Sequence, residues 1–366
     1  MQSVRLPGGS IRARSLRLEA SFTISKADAY DYNILGGDHD PDDLHEELAQ
    51  LSNELGQVMQ SFPSASAKES LADEYLLDVL SKMIFGSNYI ETTGGGLDVT
   101  LKICQAIFKD EDVPEIIDDG DPDYEMHKRD AMRNDKGIHP DTSCILRSRR
   151  EIIQHARAAS HILSEIYLHD KDLDEGIILE THRILTKGID TEQGHSWTQY
   201  SGVYRQLPVA AGLHSFPPAD LVPTRMRQMI SSLNNDLVVA AKEGKIDPVA
   251  LASKYCHEFV NTHPFLDGNG RTCRLILNVL LLKYGGLLVC IGQEDGTREE
   301  YLSIAARASE NIASARDDWD EDDENSPKHY KELASFTLKH ATSSLRKFIQ
   351  TLKGDGRKGN EVSREA

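Results

Sequence analysis

The chain has 366 residues, a formal net charge of −18 and 39% hydrophobic residues. This acidity argues against nucleic acid as a partner, because a polyanion is bound through clustered Lys and Arg. The hydrophobic content supports a substantial core. The sequence contains no run of 18 apolar residues, so we expect no transmembrane helix and no membrane contact.

Helical periodicity dominates the sequence. Apolar residues recur at three- and four-residue spacing over eight segments, which predicts an all-α fold. The segments are 69–85, 142–169, 172–187, 219–243, 247–261, 271–284, 298–315 and 327–352. Residues 200–216 instead alternate and contain turn residues, which predicts a short β-hairpin or an extended loop between helices.

The composition divides the chain into four regions. Residues 1–65 form a partly flexible leader with an acidic segment, and 66–141 form a helical segment with a polar insertion. The main helical domain covers 142–352, and the polar tail 353–366 is predicted to be disordered. The basic start is compatible with a mitochondrial presequence, but we favour a flexible leader.

The five cysteines form no recognisable framework. An odd count without close spacing favours a reducing compartment. We therefore expect an intracellular, cytoplasmic protein, with the nucleus and the mitochondrion left open. Cys273 is interpreted as a packing residue.

Segment 263–271 concentrates residues that suit phosphate chemistry. It reads His-Pro-Phe-Leu-Asp-Gly-Asn-Gly-Arg, and Arg274 follows three residues later. Asp247 followed by proline predicts a helix start upstream, and Pro264 ends that helix. Apolar periodicity then resumes, so the segment is predicted to be a helix–loop–helix.

Each residue type in this loop has a chemical reason to be there. The ordinary pKa of a histidine such as His263 suits proton abstraction near neutral pH. Asp267 offers the hard oxygen ligands that Mg²⁺ prefers. Gly268 and Gly270 let backbone N–H groups approach an anion at a helix N-terminus. The two arginines can fork onto phosphate oxygens.

The complete string resembles the signature of the Fic family, His-Pro-Phe-x-Asp/Glu-Gly-Asn-Gly-Arg-x-x-Arg. Most Fic proteins transfer AMP from ATP to a hydroxyl of a target protein. The resemblance implies a Fic-type helical bundle with a small β-hairpin flap, and a protein adenylyltransferase that uses ATP and Mg²⁺. Gly270 argues against the kinase-like Doc branch, which carries lysine at this position.

The family's roles carry over to the matching positions. His263 would take the proton from a target Ser, Thr or Tyr hydroxyl, and Asp267 would hold Mg²⁺ at the α and β phosphates. Arg274 would pair with the γ phosphate. The residues implied to be catalytic are His263, Asp267, Asn269, Arg271 and Arg274. The residues implied to bind the nucleotide are Gly268, Asn269, Gly270, Arg271, Arg274 and Tyr301, the last near adenine.

A Gly-x-Tyr-Arg run followed by Phe-Pro-Pro resembles the Fic flap region. The exposed strand edge of a flap would hold the target segment by main-chain hydrogen bonds. An ordinary connecting hairpin is the alternative. The flap residues implied to bind the target are Val209, Ala210, Ala211 and Gly212.

A second segment resembles the Fic inhibitory helix, Ser/Thr-x-x-x-Glu-Gly/Asn. Ser87 and Glu91 match it, after a helical stretch that Gly86 is expected to end. Glu91 would pair with Arg274 and block productive placement of the γ phosphate, which implies the subclass with an N-terminal inhibitory helix. Thr92 departs from the pattern, because Gly or Asn is usual there.

Three functions stay open from the sequence. The first is an adenylyltransferase autoinhibited by Glu91, and the second is a deAMPylase in which the same glutamate positions a water. The third is a nucleotide-binding regulator with little turnover. Transfer of UMP or phosphocholine is not excluded. A homodimer stays open, and the residues do not identify the target protein.

Overall fold

The computed structural model describes residues 22–32, 40–61, 65–134, 141–211, 214–315 and 328–362. The described residues are mostly helical. The helices are α1 (Pro41–Ser61), α2 (Ala65–Ile90), α3 (Leu97–Phe108), α4 (Pro122–Asn134), α5 (Thr142–Leu163), α6 (Glu175–Leu185), α7 (Trp197–Tyr200), α8 (Val222–Glu243), α9 (Pro248–Thr262), α10 (Asn269–Gly285), α11 (Asp295–Ala315) and α12 (Lys331–Val362). A π-helical turn (Ser164–Leu168) extends α5, and a 3₁₀ turn (Ala219–Leu221) precedes α8.

Strands are short and few in the described part of the chain. Strands β2 (Ala210–Ala211) and β3 (His214–Ser215) form an antiparallel hairpin, with Ala210 opposite Ser215. Strand β1 (Thr23–Ile24) pairs in parallel with β4 (Lys245–Ile246). The predicted all-α fold with a small hairpin is confirmed.

Helices α9 and α10 form the centre of the core and carry the signature loop between them. Asp247 caps α9 by accepting hydrogen bonds from the N–H groups of Val249 and Ala250, at 3.0 and 2.9 Å. This is the helix start that the Asp-Pro pair predicts. Tyr255 and Phe259 are fully buried one turn apart on α9. Helix α10 is buried on nearly all sides, so its N-terminus is fixed.

The N-terminal region is more ordered than its composition suggests. Within the predicted leader and acidic segment of 1–65, residues 41–61 form the amphipathic helix α1. Its leucines recur every three to four residues and pack against α12. The rest of that predicted leader and acidic segment lies largely outside the described residues.

The predicted polar insertion also contains structure. Helix α4 packs against α5, where Asp123 forms a buried ion pair of 3.0 Å with Arg149. Helices α2 and α3 share one hydrophobic cluster with the helices that follow residue 142. Helix α12 continues to Val362, so the backbone is helical over most of the tail that was predicted to be disordered.

Within the described ranges, no helix combines the length and the apolar character needed to cross a membrane.

Candidate functional site

His263 forms the C-cap of α9 in a left-handed backbone conformation, with φ 48° and ψ 60°. This conformation is strained for a residue other than glycine. The imidazole Nδ1 lies 3.1 Å from the carbonyl of Val260 in the preceding turn. Since a carbonyl only accepts, Nδ1 carries the proton and donates it. Nε2 is then the basic nitrogen, as proton abstraction requires.

Gly268 is the N-cap of α10 and has φ 76°, a backbone region that favours glycine. A Cβ atom at this position would press against Thr186 and the ring of His182. Asn269 lies in the first turn, but its amide closes the loop onto the backbone N–H and C=O of Phe265, both at 2.9 Å. The Asn269 side chain therefore shapes the loop, while the helix N-terminus presents backbone N–H groups.

His182 on α6 packs against the signature loop. Its ring stacks on Phe265 at 3.6 Å between centroids, with an interplanar angle of 4°. Gly202 N–H donates to Nδ1 at 2.9 Å, so Nε2 bears the proton and donates to the Asp267 carbonyl at 2.9 Å. Burial lowers the pKa of His182 to about 4. The ring is therefore neutral near pH 7, and its contacts with Asp267 and Phe265 hold the loop in position.

Arg271 is buried close to the helix N-terminus, with 3% of its surface exposed. Its Nη2 lies 3.6 Å from Oδ1 of Asp267. Its Nε and Nη1 atoms have no hydrogen-bond partner among the described residues. A buried guanidinium with unpaired donors is costly, and an anion at this point would satisfy it.

Arg274 lies one turn further along α10 and is equally buried. Its Nε donates to the Ser87 hydroxyl and its Nη2 to the Ser87 carbonyl, both at 2.8 Å. Nη2 also donates to Oε1 of Glu91 at 2.7 Å. Burial opposes the charge on Arg274, but the Glu91 carboxylate outweighs this and holds the arginine's pKa above its ordinary value.

The Glu91 carboxylate lies over the first turn of α10. A Cβ atom at Gly270 would collide with its Oε1. The carboxylate therefore stands where the helix dipole and the backbone N–H groups favour an anion. A side chain at position 270 and the observed Glu91 conformer are mutually exclusive.

Helix α2 continues through Gly86 to Ile90, so the expectation that Gly86 ends the helix is wrong. A Cβ at this glycine would collide with the carbonyl of Ile291, which explains the residue type by close packing. Thr92 follows the helix with φ 54°. This left-handed position is one that Gly or Asn adopts with less strain than a β-branched residue.

Two neighbouring helices hold the segment around Glu91. Arg298 on α11 donates to the carbonyls of Tyr89 and Ile90, both at 3.2 Å. Glu151 on α5 accepts from the N–H of Gly94 at 2.8 Å. The backbone on both sides of the carboxylate is thus fixed by contacts that do not involve Arg274.

Tyr301 packs beneath Arg274, with the guanidinium carbon 5.6 Å from the ring centroid. The ring is 5% exposed and its hydroxyl lies 3.8 Å from the Cys273 sulfur. This position favours support of Arg274 over the predicted contact with adenine. Cys273 is buried 3.6 Å from the sulfur of Cys256, in line with its interpretation as a packing residue.

The predicted flap is a hairpin that stands beside His263. Ala210 is exposed, Val209 is half-buried and Ala211 pairs with His214, whereas Gly212 lies outside the described residues. Phe216 at the end of the hairpin stacks on the His263 ring at 3.8 Å. Binding of a target by the flap stays a prediction.

Sequence reasoning assigned no role to three residues that hold the site together. These are His182, Arg205 and Arg298. Each acts through backbone carbonyls of a distant segment, and such partners leave no local pattern in a sequence. The only available signal was Arg205 at the end of the Gly-x-Tyr-Arg run.

Comparison with known proteins agrees with this geometry. Residues 172–281 match the model of the Fic/DOC family. This range contains His182, the hairpin and the whole signature loop.

Curated relatives match part of the chain. The chain is 28% identical over 198 residues to the protein adenylyltransferase fic-1 of Caenorhabditis briggsae, which covers 54% of this chain and 32% of the relative. It is 31% identical to the protein adenylyltransferase Fic of Drosophila mojavensis over 41% of this chain and 26% of the relative. The chain thus spans about a third or less of the length of these relatives.

Solved structures share the fold. A Fic domain containing signaling protein from Bacteroides thetaiotaomicron aligns with a TM-score of 0.59 and 20% identity, over 84% of this chain and 98% of that one. Caenorhabditis elegans Fic-1 aligns with a TM-score of 0.56 and 18% identity, over 86% of this chain and 74% of that one. The fold of the chain is therefore that of solved Fic-domain proteins, and residues 172–281 match the Fic/DOC family.

Proposed function

We propose that this protein is a protein adenylyltransferase that Glu91 holds in an inhibited state. It transfers AMP from ATP to a Ser, Thr or Tyr hydroxyl of a target protein. The observation that carries the proposal is the Arg274–Glu91 ion pair of 2.7 Å at the N-terminus of α10. The names of the curated relatives support the same activity.

The loop suits the triphosphate of ATP. Arg271 has buried donors without partners in the described chain, and the N-terminus of α10 adds backbone N–H groups. Both features favour a polyanion. Arg274 would contact the γ phosphate once the Glu91 carboxylate moves away.

Mg²⁺ fits the single carboxylate of this loop. The Asp267 side chain is 37% exposed and faces Arg271. The described residues contain no group of three or more His, Cys, Asp or Glu side chains that could hold a metal alone. Mg²⁺ bound to Asp267 would therefore share its remaining positions between phosphate oxygens and water, as it does in many nucleotide sites. The ion would neutralise phosphate charge.

Catalysis then depends on position and charge compensation. His263 accepts the proton of the target hydroxyl at Nε2, because Nδ1 donates to Val260. The hydroxyl oxygen forms a bond to the α phosphorus, and the bond from that phosphorus to the bridging oxygen of the β phosphate breaks. Pyrophosphate leaves, and Arg271 and Arg274 offset its charge.

DeAMPylation is the second candidate. The Glu91 side chain is 35% exposed, and only its Oε1 pairs with Arg274, so its carboxylate could also orient a water. Glu91 is then required for activity, whereas in the first proposal it restrains activity. The nucleotide-binding regulator is disfavoured because the base, the carboxylate and both arginines are all present.

The test compares AMP incorporation from α-labelled ATP into lysate protein. Glu91→Gly should raise incorporation at least tenfold over the wild type, and Glu91→Gly with His263→Ala should abolish it. Glu111→Gly, in an exposed loop after α3, is the matched control and should behave as the wild type. No incorporation by Glu91→Gly, together with Glu91-dependent release of AMP from a modified protein, would favour the deAMPylase.

A further inference from the structure

Arg205 is buried between the flap and the signature loop, with 3% of its surface exposed. Its side chain donates only to backbone carbonyls in the described structure. The Nε atom donates to His263 at 2.7 Å, and Nη2 donates to Pro217 at 2.6 Å. Nη1 donates to Leu207 at 3.1 Å, and Nη2 makes a longer contact of 3.5 Å to Thr262.

The backbone of Arg205 adds a further link, since its N–H donates to the carbonyl of Pro264 at 2.9 Å. One residue thus contacts three consecutive carbonyls around His263, at positions 262, 263 and 264. It also contacts Leu207 and Pro217, which lie at the two ends of the hairpin. No ion pair to Arg205 is found within the described residues, and burial lowers its pKa from the ordinary arginine value.

This arrangement addresses two geometric needs of the reaction. His263 has a strained backbone with φ 48°, which persists only when its surroundings fix it. The flap must present a target hydroxyl within hydrogen-bond reach of His263. Phe216 belongs to the second end of the hairpin and stacks on the His263 ring at 3.8 Å. The base and the flap are therefore joined at both the backbone and the side chain.

We propose that Arg205 is a positioning residue that locks the His263 backbone to both ends of the flap, with Phe216 as its aromatic counterpart. The proposal rests on the proposed function for its effect on transfer. Lysine cannot replace this arginine, because one ammonium lacks the planar fork that reaches His263 and Pro217 together.

The test has a spectroscopic arm that needs no target protein. Histidine imidazole ¹⁵N shifts report the tautomer and surroundings of each ring. Arg205→Lys and Arg205→Met should shift or broaden the His263 signals and leave those of His340, which lies on α12, unchanged. Arg346→Lys is the matched control, because Arg346 is a half-buried arginine on α12 that pairs with Glu47. Unchanged His263 signals in both Arg205 variants would overturn the proposal.

The second arm measures transfer of label from α-labelled ATP into lysate protein in the Glu91→Gly background. We expect at least a tenfold loss with Arg205→Lys, while the Kd for ATP changes less than twofold. Phe216→Leu removes the ring stack but no buried charge, and it should also reduce transfer. This variant provides the test if the Arg205 variants fail to fold. Unchanged transfer in folded variants would contradict the positioning role. If Glu91→Gly with intact Arg205 transfers no label, the proposed function fails, and the spectra alone decide whether Arg205 fixes His263.

Discussion

Arg274 and Glu91 lie 183 positions apart in the sequence and form a direct ion pair, with Nη2 2.7 Å from Oε1. The pair occupies the N-terminus of α10, where Arg271 still has unpaired donors in the described structure. The same guanidinium cannot give this geometry to both Glu91 and a terminal phosphate. Under the proposed function, this ion pair links the chemistry of the loop to its regulation.

Thr92→Gly should stabilise the inhibited state. The substitution removes a β-branched residue from φ 54°, which costs about 1 kcal/mol of strain. We expect the free energy of unfolding to rise by up to about 1 kcal/mol in urea titrations, and the residual transfer activity to fall. Thr93→Gly is the control, since Thr93 is not at positive φ, and it should not stabilise the protein. Equal effects of the two variants would contradict this account of Thr92.

Arg298→Met should loosen the inhibitory segment without touching Glu91. The variant loses two hydrogen bonds to the carbonyls of Tyr89 and Ile90, each worth about 1 kcal/mol. Labelled-ATP assays should show activation that is weaker than that of Glu91→Gly. Arg307→Met, an exposed arginine on the same helix, should leave transfer unchanged. Activity equal to the wild type in Arg298→Met would show that α11 does not restrain the segment.

His182→Ala should destabilise the fold and the loop together. The truncation leaves the Asp267 carbonyl and the Gly202 N–H without their partner and removes the stack on Phe265. We expect a loss of about 3 kcal/mol in the free energy of unfolding, measured in urea. His169→Ala, at an exposed position, should cost less than about 1 kcal/mol. A similar small loss of stability in both variants would argue against this structural role of His182.

Stability should fall as the pH is lowered from 7 to 5. Burial lowers the pKa of four histidines to about 4, while unfolded histidines titrate near 6.5. The histidines are His127, His182, His257 and His340. Between these values the unfolded chain binds more protons, so their contribution is present above pH 6.5 and is lost on acidification.

One half-buried acid, Glu258, opposes this trend. Burial raises the pKa of Glu258 to about 7, so its contribution is present at low pH and is lost as the pH rises. Four histidines outweigh one glutamate, at about 1.4 kcal/mol per pH unit for each net proton. Urea unfolding at pH 7, 6 and 5 provides the measurement. A free energy of unfolding that stays constant or rises on acidification would contradict the prediction.

The sequence predicts α9 and α10 well because their signals are local. Asp247 caps one helix, Pro264 follows its end, and apolar residues mark the faces of both. The sequence does not predict helix α1, because its many acidic residues obscure a leucine stripe that packs against α12. Helix α4 was missed because a buried ion pair anchors its polar sequence to α5.

The sequence predicts those parts of the site that belong to a sequence motif. It does not predict the parts that depend on contacts with the backbone of distant segments. The resemblance of 263–274 and of 87–91 to Fic motifs predicted which side chains meet. The left-handed Thr92 and the contacts of Arg205 and His182 depend on backbone dihedrals and carbonyl positions. Residue types alone do not specify such features.

The most direct test of a shared Arg274 is calorimetric measurement of Kd for ATP and for AMP, with Mg²⁺, in the wild type and in Glu91→Gly. If Glu91 competes with the terminal phosphate, Glu91→Gly should tighten ATP binding roughly tenfold, about 1.4 kcal/mol. AMP lacks the γ phosphate, so its Kd should change less than twofold. Equal changes for the two nucleotides, or no change for ATP, would contradict the competition between Glu91 and the γ phosphate for Arg274.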